Sequence, residues 1–174
     1  MRLFPWRRRL PKAERAAVGL TRGEYVIAVA ATDAGGRAVA TDRALYLPAA
    51  GQGYERFGWE TIARASWSDG VLHVSGAGPP GSDPPVRDVP LAEPGGLADA
   101  VHDRVTSTVV VSHHVRLDGR KGVRLIARRR PGTSGVEDHL VWSMSFDKGV
   151  DPSDPDVADR AATALEDVRR QLGV

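Results

Sequence analysis

The stretch from Ala40 to Val74, ATDRALYLPAAGQGYERFGWETIARASWSDGVLHV, constrains the fold more than any other part of the chain. It divides into short runs rich in β-branched and aromatic residues: ATDRALYL, YERFGWETIARASW and VLHV. Turn-forming residues at Pro48–Gly53 and at Ser68-Asp69-Gly70 separate them. The centre of the chain therefore reads as a series of short antiparallel strands.

The flanks extend that pattern. Lys12 and its neighbours, from about Pro11 to Val18, read as a short helix behind a basic arm. Glu24–Thr32 (EYVIAVAAT) is apolar and β-branched enough for a strand. Asp33-Ala34-Gly35-Gly36 supplies a hairpin turn, and Arg37–Leu47 returns antiparallel. Tyr54–Trp67 is long for one strand, which predicts a bend near Gly58. Val71–Val74 closes the meander, Gly76–Pro85 is an exposed Pro/Gly loop, and Val86–Leu91 is a further short strand.

After Leu91 the period changes. Leu97, Val101 and Val105 fall four apart, one helical stripe across Gly96–Ser107. Three strands follow, Val109–Leu117, Gly122–Arg130 and His139–Phe146, with a turn at Asp118-Gly119 and a longer loop at Pro131–Asp138. In the last strand Leu140, Trp142, Met144 and Phe146 alternate, so one face is expected to be buried. Asp154 is an N-cap with Pro155 behind it, and Val157, Ala161, Leu165, Val168 and Leu172 make one stripe that ends at Gly173. Arg169 and Arg170 suit the negative end of that helix.

Two phrases, Thr41-Asp42-Arg43-Ala44-Leu45-Tyr46 and Gly58-Trp59-Glu60-Thr61-Ile62, resemble in order and spacing the strand pair of bacterial pleckstrin-homology-like (PH-like) domains. The resemblance covers about residues 24–75. It implies two orthogonal antiparallel sheets plugged at one end by an amphipathic helix. The expected fold is thus α+β: a two-sheet, partly open barrel with an inserted helix and a C-terminal amphipathic helix. Residues 1–22 would form the arm and short helix, and 23–174 a single PH-like domain with a possible subdivision near 95–108. The chain can complete such a domain in two ways. Leu97–Val105 is the plug and Val109–Val174 an added unit, or the later strands form the second sheet and Asp154–Leu172 is the plug. The second is favoured here, because three strands and a helix make a poor independent core.

With 41% hydrophobic residues, a chain of this length builds one conventional core. Having no cysteine excludes disulfides, thiolate zinc sites and cysteine nucleophiles. No apolar run reaches the roughly 18 residues that cross a bilayer, and the N-terminus lacks the apolar region of a secretory signal. A cytoplasmic protein, peripheral at the membrane, is the expectation.

The net charge of +2 conceals a separation: residues 1–22 and 116–130 each carry +6, and the rest carries −10. In the arm, Phe4 and Trp6 stand beside Arg7, Arg8 and Arg9, the composition of an interfacial anchor for anionic lipid. The alternative is that Phe4 and Trp6 fold back onto an apolar groove. In the second patch, alternation puts Arg124, Arg128 and Arg130 on one strand face, with His114 and Arg116 approaching Arg124 across the hairpin. Such a face is either neutralised by acids of residues 137–174, which sum to −5, or it holds an anion: a headgroup, nucleic acid or an acidic partner.

Catalytic signatures are missing from the sequence. There is no G-x-S-x-G, no phosphate-cradling glycine loop and no H-E-x-x-H, and neither metal nor cofactor is expected. His113 and His114 point to opposite faces; His113, beside Val111, Val115 and Leu117, reads as a partly buried histidine. Asp138-His139 has no spaced partner for a metal, and Asp42 reads as turn chemistry. Trp59, Trp67 and Trp142 read as core residues. The leading expectation is a non-catalytic binding or scaffold module that meets an anionic lipid surface or an acidic protein partner. The alternatives are a hydrolase-like enzyme with a His/Asp pair assembled in space, and a nucleic-acid binder that uses the arm and the basic strand. The nucleic-acid reading is the weaker, since the chain lacks the aromatic–basic alternation of a stacking sheet.

Overall fold

A computed structural model describes residues 10–77, 85–132 and 140–173. Helix α1 spans Lys12–Val18 and is followed by seven strands: β1 (Val26–Thr32), β2 (Arg37–Thr41), β3 (Ala44–Pro48), β4 (Tyr54–Gly58), β5 (Ile62–Ser68), β6 (Val71–Gly76) and β7 (Val86–Glu93). These form one antiparallel sheet in the order β4-β3-β2-β1-β7-β6-β5. Helix α2 (Leu97–Ser107) follows, then β8 (Val109–Asp118), β9 (Lys121–Arg128) and β10 (Val141–Phe146), and finally α3 (Pro155–Leu172). The last three strands make a separate antiparallel sheet, β10-β9-β8. The fold is α+β, with an inserted helix and a C-terminal helix, and the large sheet stays open because β4 and β5 do not pair.

Two long runs are each divided, the second at the bend expected near Gly58. ATDRALYL breaks at Asp42-Arg43 into β2 and β3, because Thr41 turns its hydroxyl back to accept from Ala44 N–H at 2.9 Å. The Asp42 carboxylate then accepts from Tyr25 N–H at 2.9 Å, which ties the turn to the start of β1. YERFGWETIARASW breaks at a 3₁₀ turn, Trp59–Thr61. That turn drives Trp59 fully into the core, where Nε1 donates to Thr41 O at 3.0 Å.

The inner face of the large sheet (Ala38, Ala40, Leu45, Leu47, Trp59, Ile62, Leu72, Val74, Leu91) buries Leu97, Ala100, Val101 and Val105 of α2. The middle helix therefore lies on the large sheet, contrary to the expectation that α3 would. On the outer face, Leu10 and Val18 cover Val39, Ala44 and Tyr46. Being sandwiched explains why β2 and β3 are buried on both sides and show no alternation.

Helix α3 packs instead on the small sheet, where Ala161 and Val168 meet Val123 and Leu125. Asp154 caps it by accepting from Asp156 N–H at 2.9 Å, and Gly173 ends it in the left-handed conformation at φ 72°. Leu172, expected in the stripe, is 49% exposed, since it stands at the last turn beyond the sheet. Leu165 and Trp142 are only half-buried, and the Arg169 guanidinium lies 5.6 Å from the Trp142 ring centre. Leu165→Ala is accordingly expected to destabilise by about 1–2 kcal/mol in urea unfolding, below the 2–5 of a fully buried leucine.

The small sheet escapes the size objection because it does not stand alone. Arg129 N–H donates to Thr108 O at 2.8 Å, and the buried Arg128 reaches across to α2 and β5.

Candidate anion-binding face

Register in the β8–β9 hairpin sets His114 opposite Arg124 and Arg116 opposite Gly122. Close approach at that point needs glycine: a Cβ on Gly122 would lie 1.9 Å from Val115 O. Arg116, Arg120, Lys121 and Arg124 are all exposed. None of the four makes an ion pair with another described residue within 4.0 Å.

Asp147 is the acid of the C-terminal third that meets this face. Its carboxylate takes the His114 Nε2 contact at 2.8 Å and the Gly122 N–H at 2.8 Å. The His114 hydrogen bond, then the Gly122 N–H, hold Asp147 below the usual carboxylate range, and the Arg124 charge adds to this. Asp147 thus sits among the cations held chiefly by the histidine and a backbone amide, and a second acid, Asp118, stands opposite Lys121 at the turn.

The other expected members are placed differently. Arg128 shares this face by alternation but is 3% exposed and serves as an internal clamp, so it is not available to a surface anion. Arg130 lies past the end of β9 and pairs with the buried Glu60 at 2.9 Å. Trp6, Arg7, Arg8 and Arg9 lie outside the described residues, as does His139. His113, expected to be partly buried, is exposed, although Val111 and Val115 on either side of it pack in the small-sheet core.

Residue order did not suggest two buried carboxylates, although Glu60 stands in one of the phrases that carry the PH-like resemblance and Glu24 bonds to Thr41 and Tyr46 of the other. Glu24 accepts from Thr21 N–H (3.0 Å), Thr21 Oγ1 (2.5 Å), Thr41 Oγ1 (2.5 Å) and Tyr46 Oη (2.8 Å). Burial alone would raise its pKa, and the hydrogen bonds from Thr21, Thr41 and Tyr46 together bring it below the usual value. Glu60 is accommodated because Gly58 has no side chain; a Cβ there would lie 2.7 Å from Glu60 Oε1.

A Ser–His–Asp row does occur, on β5, β6 and β7. Ser68 Oγ lies 3.2 Å from His73 Nε2, and His73 Nδ1 lies 2.8 Å from Asp88 Oδ1. Its distances suit a relay, but its setting does not. The row is on the outer sheet face, since Leu72 and Val74 point inward, and the His73 and Asp88 side chains are 40% and 61% exposed. Bulk water there screens the charges on which such catalysis depends. Among the described residues, no three His, Cys, Asp or Glu side chains are grouped to hold a metal ion, and no helix is long and apolar enough to cross a membrane.

Comparison of the chain with models of protein families, with curated proteins and with solved structures finds no match.

Proposed function

We propose that this protein is a non-catalytic binding module of PH-like type that attaches reversibly to an anionic membrane surface at its cytoplasmic side. The observation that carries the reading is the β8–β9 hairpin, where four exposed cations make no ion pair with described residues and outnumber the two acids beside them, Asp118 and Asp147. The strand order β4-β3-β2-β1-β7-β6-β5, with α2 following directly and packing inside, supports the PH-like resemblance of the two motifs. In this reading Arg116 and Arg124 meet lipid headgroups while Arg7, Arg8 and Arg9 add charge and Trp6 an apolar contact. Each cation near such a surface contributes about 1 kcal/mol, and screening limits its reach to about 8 Å at physiological salt. Attachment of this strength is reversible.

Co-sedimentation with vesicles tests it. The intact chain is expected to pellet with phosphatidylserine-containing vesicles at low salt, to be released as salt rises, and to ignore pure phosphatidylcholine. Arg116→Glu with Arg124→Glu should weaken binding, and so should removal of residues 1–9. The deletion stops there because Leu10 is 6% exposed and packs on the sheet. Equal sedimentation with both kinds of vesicle, or none with either, would overturn the proposal.

A further inference from the structure

The cations of the β8–β9 hairpin share their face with a titratable group. His114 stands opposite Arg124 in the register and two residues before Arg116, so all three side chains lie on one face. His114 Nε2 lies 2.8 Å from Asp147 Oδ2, and the two side chains are 30% and 37% exposed. Solvent therefore reaches the pair. Helix α3 packs on the other face of this sheet, against Val123 and Leu125, and α2 meets β8 at its far end, where Arg128 holds Val105 and Thr108. The charged groups around His114 are then Arg116 on its own strand, Lys121 and Arg124 on β9, Asp118 and Arg120 at the turn, and Asp147 with the exposed Lys148 after β10.

Geometry fixes where a further proton goes. Asp147 takes the His114 contact and the Gly122 N–H, and these bonds keep its carboxyl below the ordinary range. It stays ionised in mild acid, so the neutral imidazole donates to it through Nε2. Nδ1 is left as the acceptor, with no hydrogen-bond partner among the described residues. A proton added at Nδ1 thus leaves the Asp147 contact in place. With His114 neutral, Arg116, Arg120, Lys121 and Arg124 with Asp118 and Asp147 sum to +2; with His114 charged the sum is +3.

We infer, on the reading that this hairpin meets anionic lipid, that His114 makes the attachment pH-dependent: acidification charges His114 and strengthens binding to the membrane surface. Histidine suits this task because its charge changes between about pH 5 and 8. One cation added near such a surface raises affinity about fivefold. The effect is reciprocal, so the surface favours the proton on His114 by the same factor. His113 is the natural comparison, since it is exposed and adjacent but points to the opposite face.

Co-sedimentation of the full-length chain with phosphatidylserine-containing vesicles at pH 7.5 and pH 5.5, at one low ionic strength, tests this. Wild type is expected to bind about fivefold more tightly at pH 5.5. His114→Gln keeps a donor for Asp147 but takes no proton, so it should lose that gain. His113→Gln should keep it. Asp147→Asn removes one negative charge and should bind about fivefold more tightly than wild type at pH 7.5. A pH response retained by His114→Gln, or lost equally in His113→Gln, overturns the assignment to His114. Wild-type binding that is equal at the two pH values overturns the regulation and leaves membrane attachment standing, whereas no binding at either value overturns both. Should His114→Gln fail to fold, Asp147→Asn decides: affinity at pH 7.5 no higher than that of wild type sinks the inference.

Discussion

Arg128→Ala is expected to cause the largest loss of stability of any single side-chain truncation in the small sheet. The guanidinium is 3% exposed and donates to Val105 O (2.9 Å), Thr108 Oγ1 (3.1 Å) and Ala63 O (2.8 Å). It joins β9 to the end of α2 and to β5, and no carboxylate pairs with it among the described residues. Burial lowers its pKa, and two carbonyls and the Thr108 hydroxyl accept from the guanidinium. Truncation takes its donor from Ala63 O, leaves Val105 O only the Thr108 hydroxyl and opens a cavity, a loss of roughly 2–5 kcal/mol judged from large-to-small substitutions of buried side chains. Arg128→Met fills the space but leaves Ala63 O without this donor, so it should fall between wild type and alanine. Urea unfolding followed by far-UV circular dichroism measures both. If the alanine variant lies within about 1 kcal/mol of wild type, the range of an ordinary surface change, the clamp is refuted.

Glu24→Gln should be nearly as damaging, and its effect should depend on pH. Four donors converge on the Glu24 carboxylate, from Thr21, Thr41 and Tyr46. An amide in its place turns its own N–H groups toward donors, and hydrogen bonds to a charged group are worth about 1.5–3 kcal/mol each. We expect a loss of about 2–4 kcal/mol at neutral pH, given that the hydroxyls can rotate to other partners. The folded-state pKa of Glu24 is below the ordinary value. The charged form is therefore the one that folding favours: its contribution is complete above the unfolded pKa of about 4.3 and disappears as pH falls through the folded value. Thermal melts of wild type and Glu24→Gln should converge as pH drops below about 4. A constant difference between them from pH 7 to pH 3 would show that the carboxylate charge does not matter.

Much of the fold was legible in residue order. Asp154-Pro155 and Gly173 delimit α3 because capping and proline geometry are local. The β8–β9 register was legible too, because Asp118-Gly119 marks the turn and period two places His114 beside Arg124. The divided strands were legible in part: a bend near Gly58 and turn chemistry at Asp42 were expected, but not that each would split its run into two strands. Asp42 reads as a turn residue, but its partners in the fold-back, Thr41 and Tyr25, leave no mark on the apolar alternation. The candidate anion face was half legible: the facing of His114 to Arg124 followed from spacing, but the choice of Asp147 among nine acids of residues 137–174 did not.

The sequence by itself determined most element types, the antiparallel character of the sheets, the hairpin turns and the two basic patches, since each follows from local periodicity, turn chemistry or charge. Only the tertiary structure decided which helix lies on which sheet. The stripes of α2 and α3 are both apolar with helical period, and a stripe records that it will be buried without recording against what. The same holds for Arg128. Alternation places it with Arg124 on a solvent face, yet its acceptors lie 23 and 65 residues away in the chain, at Val105 and Ala63. Its burial is set by contacts between distant segments, which exist only once both sheets have formed.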